Sequence, residues 1–122
     1  MTAVLRALRG ATTLEQDTAE QVSERVRALV FAMLERNGID HDDLVSILFT
    51  ATDDINSLFP ATAARSLGLG DVPLICAREL AIKGAASRCI RVLMHFYTER
   101  TRDSLHHVYL EGARGLRDDL PD

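Results

Sequence analysis

Ser87-Arg88-Cys89-Ile90-Arg91-Val92-Leu93-Met94-His95-Phe96-Tyr97-Thr98 reads as one long β-strand. It is rich in β-branched and aromatic residues and holds neither Gly nor Pro. Strand side chains alternate, so Ile90, Val92, Met94 and Phe96 form one apolar face. The opposite face carries Cys89, Leu93 and Tyr97, with Arg91 in their midst. A guanidinium keeps its proton, and burying it unpaired is strongly unfavourable. Either a protein carboxylate or an anionic ligand must therefore lie opposite Arg91. Glu79 is the first internal candidate and Glu111 the second.

Working outward, residues 3–9 read as a strand ended by Gly10, and residues 19–37 as the most secure helix. In that helix Val22, Val26, Leu29, Val30 and Met33 recur at helical spacing. Thr18 with Gln21 fits a capping box, and Gly38 stands where a helix commonly ends. Residues 44–50 predict a strand apolar on both faces. Pro60 opens a short helix running to about residue 67, and residues 72–76 predict a third strand with Pro73 near its start. Residues 106–111 predict a last strand that sets Tyr109, His107 and Glu111 on one face, and the tail from Gly112 reads as loosely held.

The result is an α+β domain: a mixed β-sheet with one long helix packed on one face. One helix covers one sheet face, yet two of the strands are apolar on both. Another copy of the chain is the simplest cover for the second face, which predicts an oligomer of unspecified symmetry.

At 122 residues the chain suits a single domain spanning 1–122. A net charge of −4 argues against broad nucleic-acid binding but allows a local positive pocket. No apolar run approaches the roughly 20 residues of a membrane span, and residues 1–6 lack a signal-peptide core, so a cytoplasmic location is expected. Cys76 and Cys89 have no metal-ligand spacing and are expected to be reduced, buried thiols. His106 and His107 are adjacent and would point to opposite sides of a strand. With His41 and His95 they make no credible metal site, and no metal or cofactor is expected. There is no phosphate loop, nucleophile elbow or CxxC. What remains is a set of arginines (Arg9, Arg65, Arg91 and Arg117), with Glu79 and almost no acid–base equipment.

Several segments occur in an order that resembles a known family. They are Arg9-Gly10-Ala11-Thr12-Thr13, Ala51-Thr52 with Asp54, Phe59-Pro60-Ala61 with Ala63 and Arg65, Val72-Pro73-Leu74 with Cys76 and Glu79, Cys89-Ile90-Arg91-Val92, and His107-Val108-Tyr109-Leu110-Glu111. Together they resemble the monofunctional chorismate mutases of the trimeric pseudo-α/β-barrel type, over almost the whole chain. The resemblance implies a homotrimer with active sites between subunits, and rearrangement of chorismate to prephenate in phenylalanine and tyrosine biosynthesis. It implies that Arg91 donates to the ether oxygen, and that Arg9 and Tyr109 hold the side-chain carboxylate. Glu79 would accept from the ring hydroxyl, assisted by the main chain of Cys76. Phe59 and Leu116 would wall the ring beside Ala61, with Arg65 and Arg117 near the ring carboxylate. Two departures stand out: Thr62 replaces a lysine expected in some relatives, and Asp118 follows Arg117 where proline is expected. Two other readings are a trimeric imine or enamine deaminase, whose own arginine motif is not found, and a non-catalytic trimeric sensor of a carboxylate metabolite.

Overall fold

The computed structural model describes residues 2–116. Five strands, β1 (Val4–Thr13), β2 (Leu44–Ala51), β3 (Leu74–Arg78), β4 (Cys89–Thr98) and β5 (Val108–Tyr109), form one sheet in the order β3-β2-β4-β1-β5. The long strand β4 is central, antiparallel to β1 and β2, while β3 and β5 pair parallel at the two edges. Helix α1 (Ala19–Arg36) buries Val22, Val26, Leu29, Val30 and Met33 on one face of this sheet. There it meets Leu8, Ile47, Phe49, Val92, Met94 and Phe96 in a single core. A short helix α2 (Pro60–Ala64), continued by a wider turn over Arg65–Leu69, joins the same core through Ala61, Ala63, Ala64 and Leu69. No helix among the described residues is long and apolar enough to cross a membrane.

α1 starts as its sequence predicts, with Thr18 Oγ1 accepting from the Gln21 amide at 3.1 Å. The reciprocal half of the capping box is replaced: Gln21 Oε1 accepts from the amides of Glu15 and Gln16 instead. At the other end Asn37 is fully buried and uses both ends of its amide. Its Nδ2 donates to Met33 O and His106 O, each at 2.9 Å, and its Oδ1 accepts from the His106 amide at 2.6 Å. This clips the start of β5 to the helix.

Several strand boundaries differ from the sequence reading, and β4 itself starts at Cys89 rather than Ser87, because Arg88 adopts a positive φ of 43°. β1 continues past Gly10 to Thr13, because β4 pairs with it along its whole length. A Cβ at Gly10 would stand 2.5 Å from Met33 Sδ and 3.2 Å from Leu29 Cδ1, so the missing side chain is what lets α1 approach. β3 starts at Leu74 and runs to Arg78, two residues later than expected. Val72 instead closes the preceding turn through its amide to Leu69 O, and Pro73 lends only its carbonyl, to the Ile47 amide. β5 shrinks to two residues, and Glu111–Ala113 form a tight turn whose Gly112 amide donates to Thr13 Oγ1 at 2.8 Å. Glu111 therefore leaves the face of Tyr109, and its carboxylate lies 3.7 Å from Arg25.

Candidate active site

The pairing register decides which side chains meet on the face that α1 leaves open. Thr50 and Ala11 both stand opposite Arg91, with Ala77 beyond Thr50 and Tyr109 beyond Ala11. One transverse row thus crosses all five strands. The adjacent row holds Ile75, Leu48, Leu93 and Arg9. Farther along β4 the open face carries His95 and then Tyr97, opposite Leu5. Leu5 is 52% exposed, Ile75 64% and Tyr97 49%, so this surface is apolar and uncovered.

At the end of that face a cavity of about 230 Å³ is bordered by Arg9, Leu48, Thr50, Glu79, Arg91 and Tyr109, with the main chain of Gly10. Glu79 reaches it from just beyond β3, where its amide donates to Ala51 O at 3.0 Å. Its Oε1 accepts from the Thr50 hydroxyl at 2.6 Å. The same oxygen lies 3.3 Å from Arg91 Nε, but that nitrogen is buried and makes no hydrogen bond among the described residues. The two charges are close without being locked together. Arg91 keeps 40% of its side chain accessible, so its guanidinium faces the cavity beside its carboxylate neighbour. Arg9 is fixed through its amide, which donates to His107 Nδ1 at 2.9 Å where the short β5 offers no further backbone partner. A site of this kind presents preset cationic donors, one carboxylate acceptor and a phenol. It suits a small anion with a hydroxyl.

A second cavity, of about 440 Å³, is bordered by Ala51, Ile55, Asn56, Ser57, Leu58, Phe59, Pro60, Cys76, Ala77 and Arg78, and shares none of the described residues with the first. Phe59 stands out from it, 70% exposed. The loop that carries Phe59 is pinned at two points. Arg78 Nη1 donates to Thr52 O and Ile55 O at 2.6 and 3.0 Å. Asp17 accepts from the Ser57 hydroxyl and amide and from the Asn56 amide. The Ser57 hydroxyl does most to hold the Asp17 carboxyl below its ordinary value, followed by the Asn56 amide.

Of the residues singled out from sequence, Arg9, Glu79, Arg91 and Tyr109 come together in the first cavity, and Phe59 and Cys76 border the second. Cys76 is partly accessible rather than buried, whereas Cys89 is buried, and both are free thiols. Burial pushes the Cys89 thiol up, against the pull of Arg91. Ala61 is buried in the core, and Arg65 is exposed on the turn after α2, bordering neither cavity. Leu116 is half-buried, its amide donating to Ala113 O at 3.1 Å, and Arg117 lies outside the described residues. Thr50 and His107 were not singled out as site residues. A strand threonine is an ordinary β-former, and only the register reveals its neighbour.

The family model for chorismate mutase type I matches residues 5–120. Chorismate mutase AroH of Thermus thermophilus is 45% identical over 118 residues, covering 96% of this chain and 97% of that protein. Chorismate mutase AroH of Bacillus subtilis (strain 168) is 40% identical over 118 residues, covering 96% and 93%. A chorismate mutase structure from Clostridium thermocellum superposes with a TM-score of 0.88 at 41% identity, over 89% of this chain and 97% of that one.

Proposed function

From the premise that this chain belongs to the chorismate mutase type I family and is a chorismate mutase, we propose that its arginine-lined cavity holds chorismate and drives the rearrangement to prephenate electrostatically. The family and its relatives favour this reaction over the deaminase and the sensor. The step is unimolecular. The ether C–O bond breaks as a C–C bond forms, and negative charge gathers on the departing ether oxygen. No proton need move and no covalent intermediate is required.

In this reading Arg91 donates to that oxygen, Arg9 and Tyr109 hold the side-chain carboxylate, and Glu79 accepts from the ring hydroxyl. A donor fixed before the reaction begins costs no reorganisation when charge develops, and losing one commonly costs about 3–4 kcal/mol. The clamps also select the compact conformer in which the two carbons approach. The observation that carries the proposal is the cavity in which Arg9, Arg91, Glu79 and Tyr109 converge while Arg91 keeps no hydrogen bond at Nε.

The protein acts as a homotrimer, and each site combines the arginine cavity of one protomer with the Phe59 segment of its neighbour. Two observations support this: the apolar open sheet face, and two cavities on one chain with no described residue in common. In that assembly Phe59 and Leu116 wall the ring beside Ala61, the main chain of Cys76 assists Glu79 at the ring hydroxyl, and Arg65 and Arg117 lie near the ring carboxylate. Mixing offers the test. Arg65→Ala and Arg91→Lys, each impaired alone in converting chorismate to prephenate, regain activity when co-refolded, because some hybrid sites take both intact halves. Activity that stays at the sum of the separate variants would place the whole site within one protomer.

A further inference from the structure

Resting on the roles just given to Arg91 and Glu79, we propose that Thr50 is a positioning residue that keeps these two charges from closing on each other, so that the guanidinium stays available to substrate. Glu79 Oε1 is approached by two groups. The Thr50 hydroxyl takes it in a 2.6 Å hydrogen bond, and Arg91 Nε stands 3.3 Å away without one. Thr50 faces Arg91 across the β2–β4 ladder, so its hydroxyl is held in place by the backbone of both strands.

A hydroxyl satisfies the carboxylate oxygen without neutralising it. A guanidinium would satisfy it by forming the bidentate fork that arginine and carboxylate prefer. That fork would spend on Glu79 the donors that the ether oxygen needs. Thr50 therefore acts through Glu79 on the charge of Arg91, and it separates a carboxylate that must accept from a cation that must donate.

The test uses the purified enzyme with chorismate. Thr50→Val keeps the shape and removes the donor, and kcat is expected to fall about ten-fold while KM changes by less than about three-fold. Thr50→Ser keeps the donor and stays within about two-fold of the parent. In a Glu79→Gln background, where the competing charge is gone, adding Thr50→Val changes kcat by less than about two-fold. Should Thr50→Val fail to fold by circular dichroism, Thr50→Ala replaces it with the same expectation. A wild-type kcat for Thr50→Val beside an impaired Glu79→Gln overturns the role of Thr50 alone. So does an equal loss in Thr50→Ser, or a loss additive with Glu79→Gln, since either would be a packing effect. Wild-type turnover in both Glu79→Gln and Arg91→Lys overturns the underlying reading of the site instead.

Discussion

The two faces of β4 have opposite fates although they alternate residue by residue. Ile90, Val92, Met94 and Phe96 face α1, and none is more than 3% exposed. On the other side accessibility grows along the strand, from sealed Cys89 through half-buried Arg91, Leu93 and His95 to exposed Tyr97. One face is sealed by the chain's own helix and supplies stability. In our proposal the other is left for substrate at one end and for neighbouring protomers along the rest. A single strand can hold a charged group rigidly in this way because its reverse side is anchored in a close-packed core.

That contrast can be broken from either side. Phe96→Ala removes a fully buried ring and is expected to cost about 3–5 kcal/mol of stability, read as a lowered midpoint in thermal or urea unfolding. Arg91→Lys keeps the charge but loses the planar fork. It should lower kcat by about 3–4 kcal/mol of barrier while leaving the unfolding midpoint near the parent value. If the first variant lost only activity, or the second only stability, the division of labour between the faces would be wrong.

Smaller effects sharpen the comparison where β4 begins. Asp54 accepts from the Arg88 amide and from the Thr52 hydroxyl, fixing the entry to the strand. Burial is the largest single influence on this carboxyl and pushes it up. The Thr52 hydroxyl, the Arg88 amide, the Asp54 amide itself and the Arg88 charge together outweigh it, and the group ends below its ordinary 3.8. With a depressed native value, the unfolded chain takes up the proton first as pH falls. The stabilisation is therefore complete above about pH 4 and drains as acid titrates the folded carboxyl. Asp54→Asn should lose stability at neutral pH and show a shallower acid limb in unfolding midpoints measured across that range. Smallest is a chemical contrast: Cys89, buried and with its thiol pushed up, should resist iodoacetamide at about pH 8 until the chain is unfolded. Rapid labelling of the folded protein at Cys89 would show the start of the strand to be open.

Much of this was legible in the residues themselves. α1 announces itself because its period and cap are local, and β4 because β-branched and aromatic residues fill it without a break. Arg91 and Arg9 stand out since charge amid apolar strand positions demands an explanation. The boundaries that moved depended on distant partners. β3 shifted because Pro73 gives β2 a carbonyl but no amide, and β5 shortened because the side chains of Asn37 and His107 take over hydrogen bonds that a longer strand would have made. Thr50 was hidden for a related reason. The β2–β4 register slips between Leu44 and Ser46, and a slip of one residue decides which face each side chain occupies.

Gly10 ties the two faces together in a way that matters to anyone evolving this enzyme. Its backbone borders the cavity while the Met33 thioether presses from behind, in the space its own side chain would fill. Met33 is thus a soft shim beneath the floor of that cavity. In our proposal for the cavity, libraries that vary Met33 alone would retune turnover from a residue outside its lining.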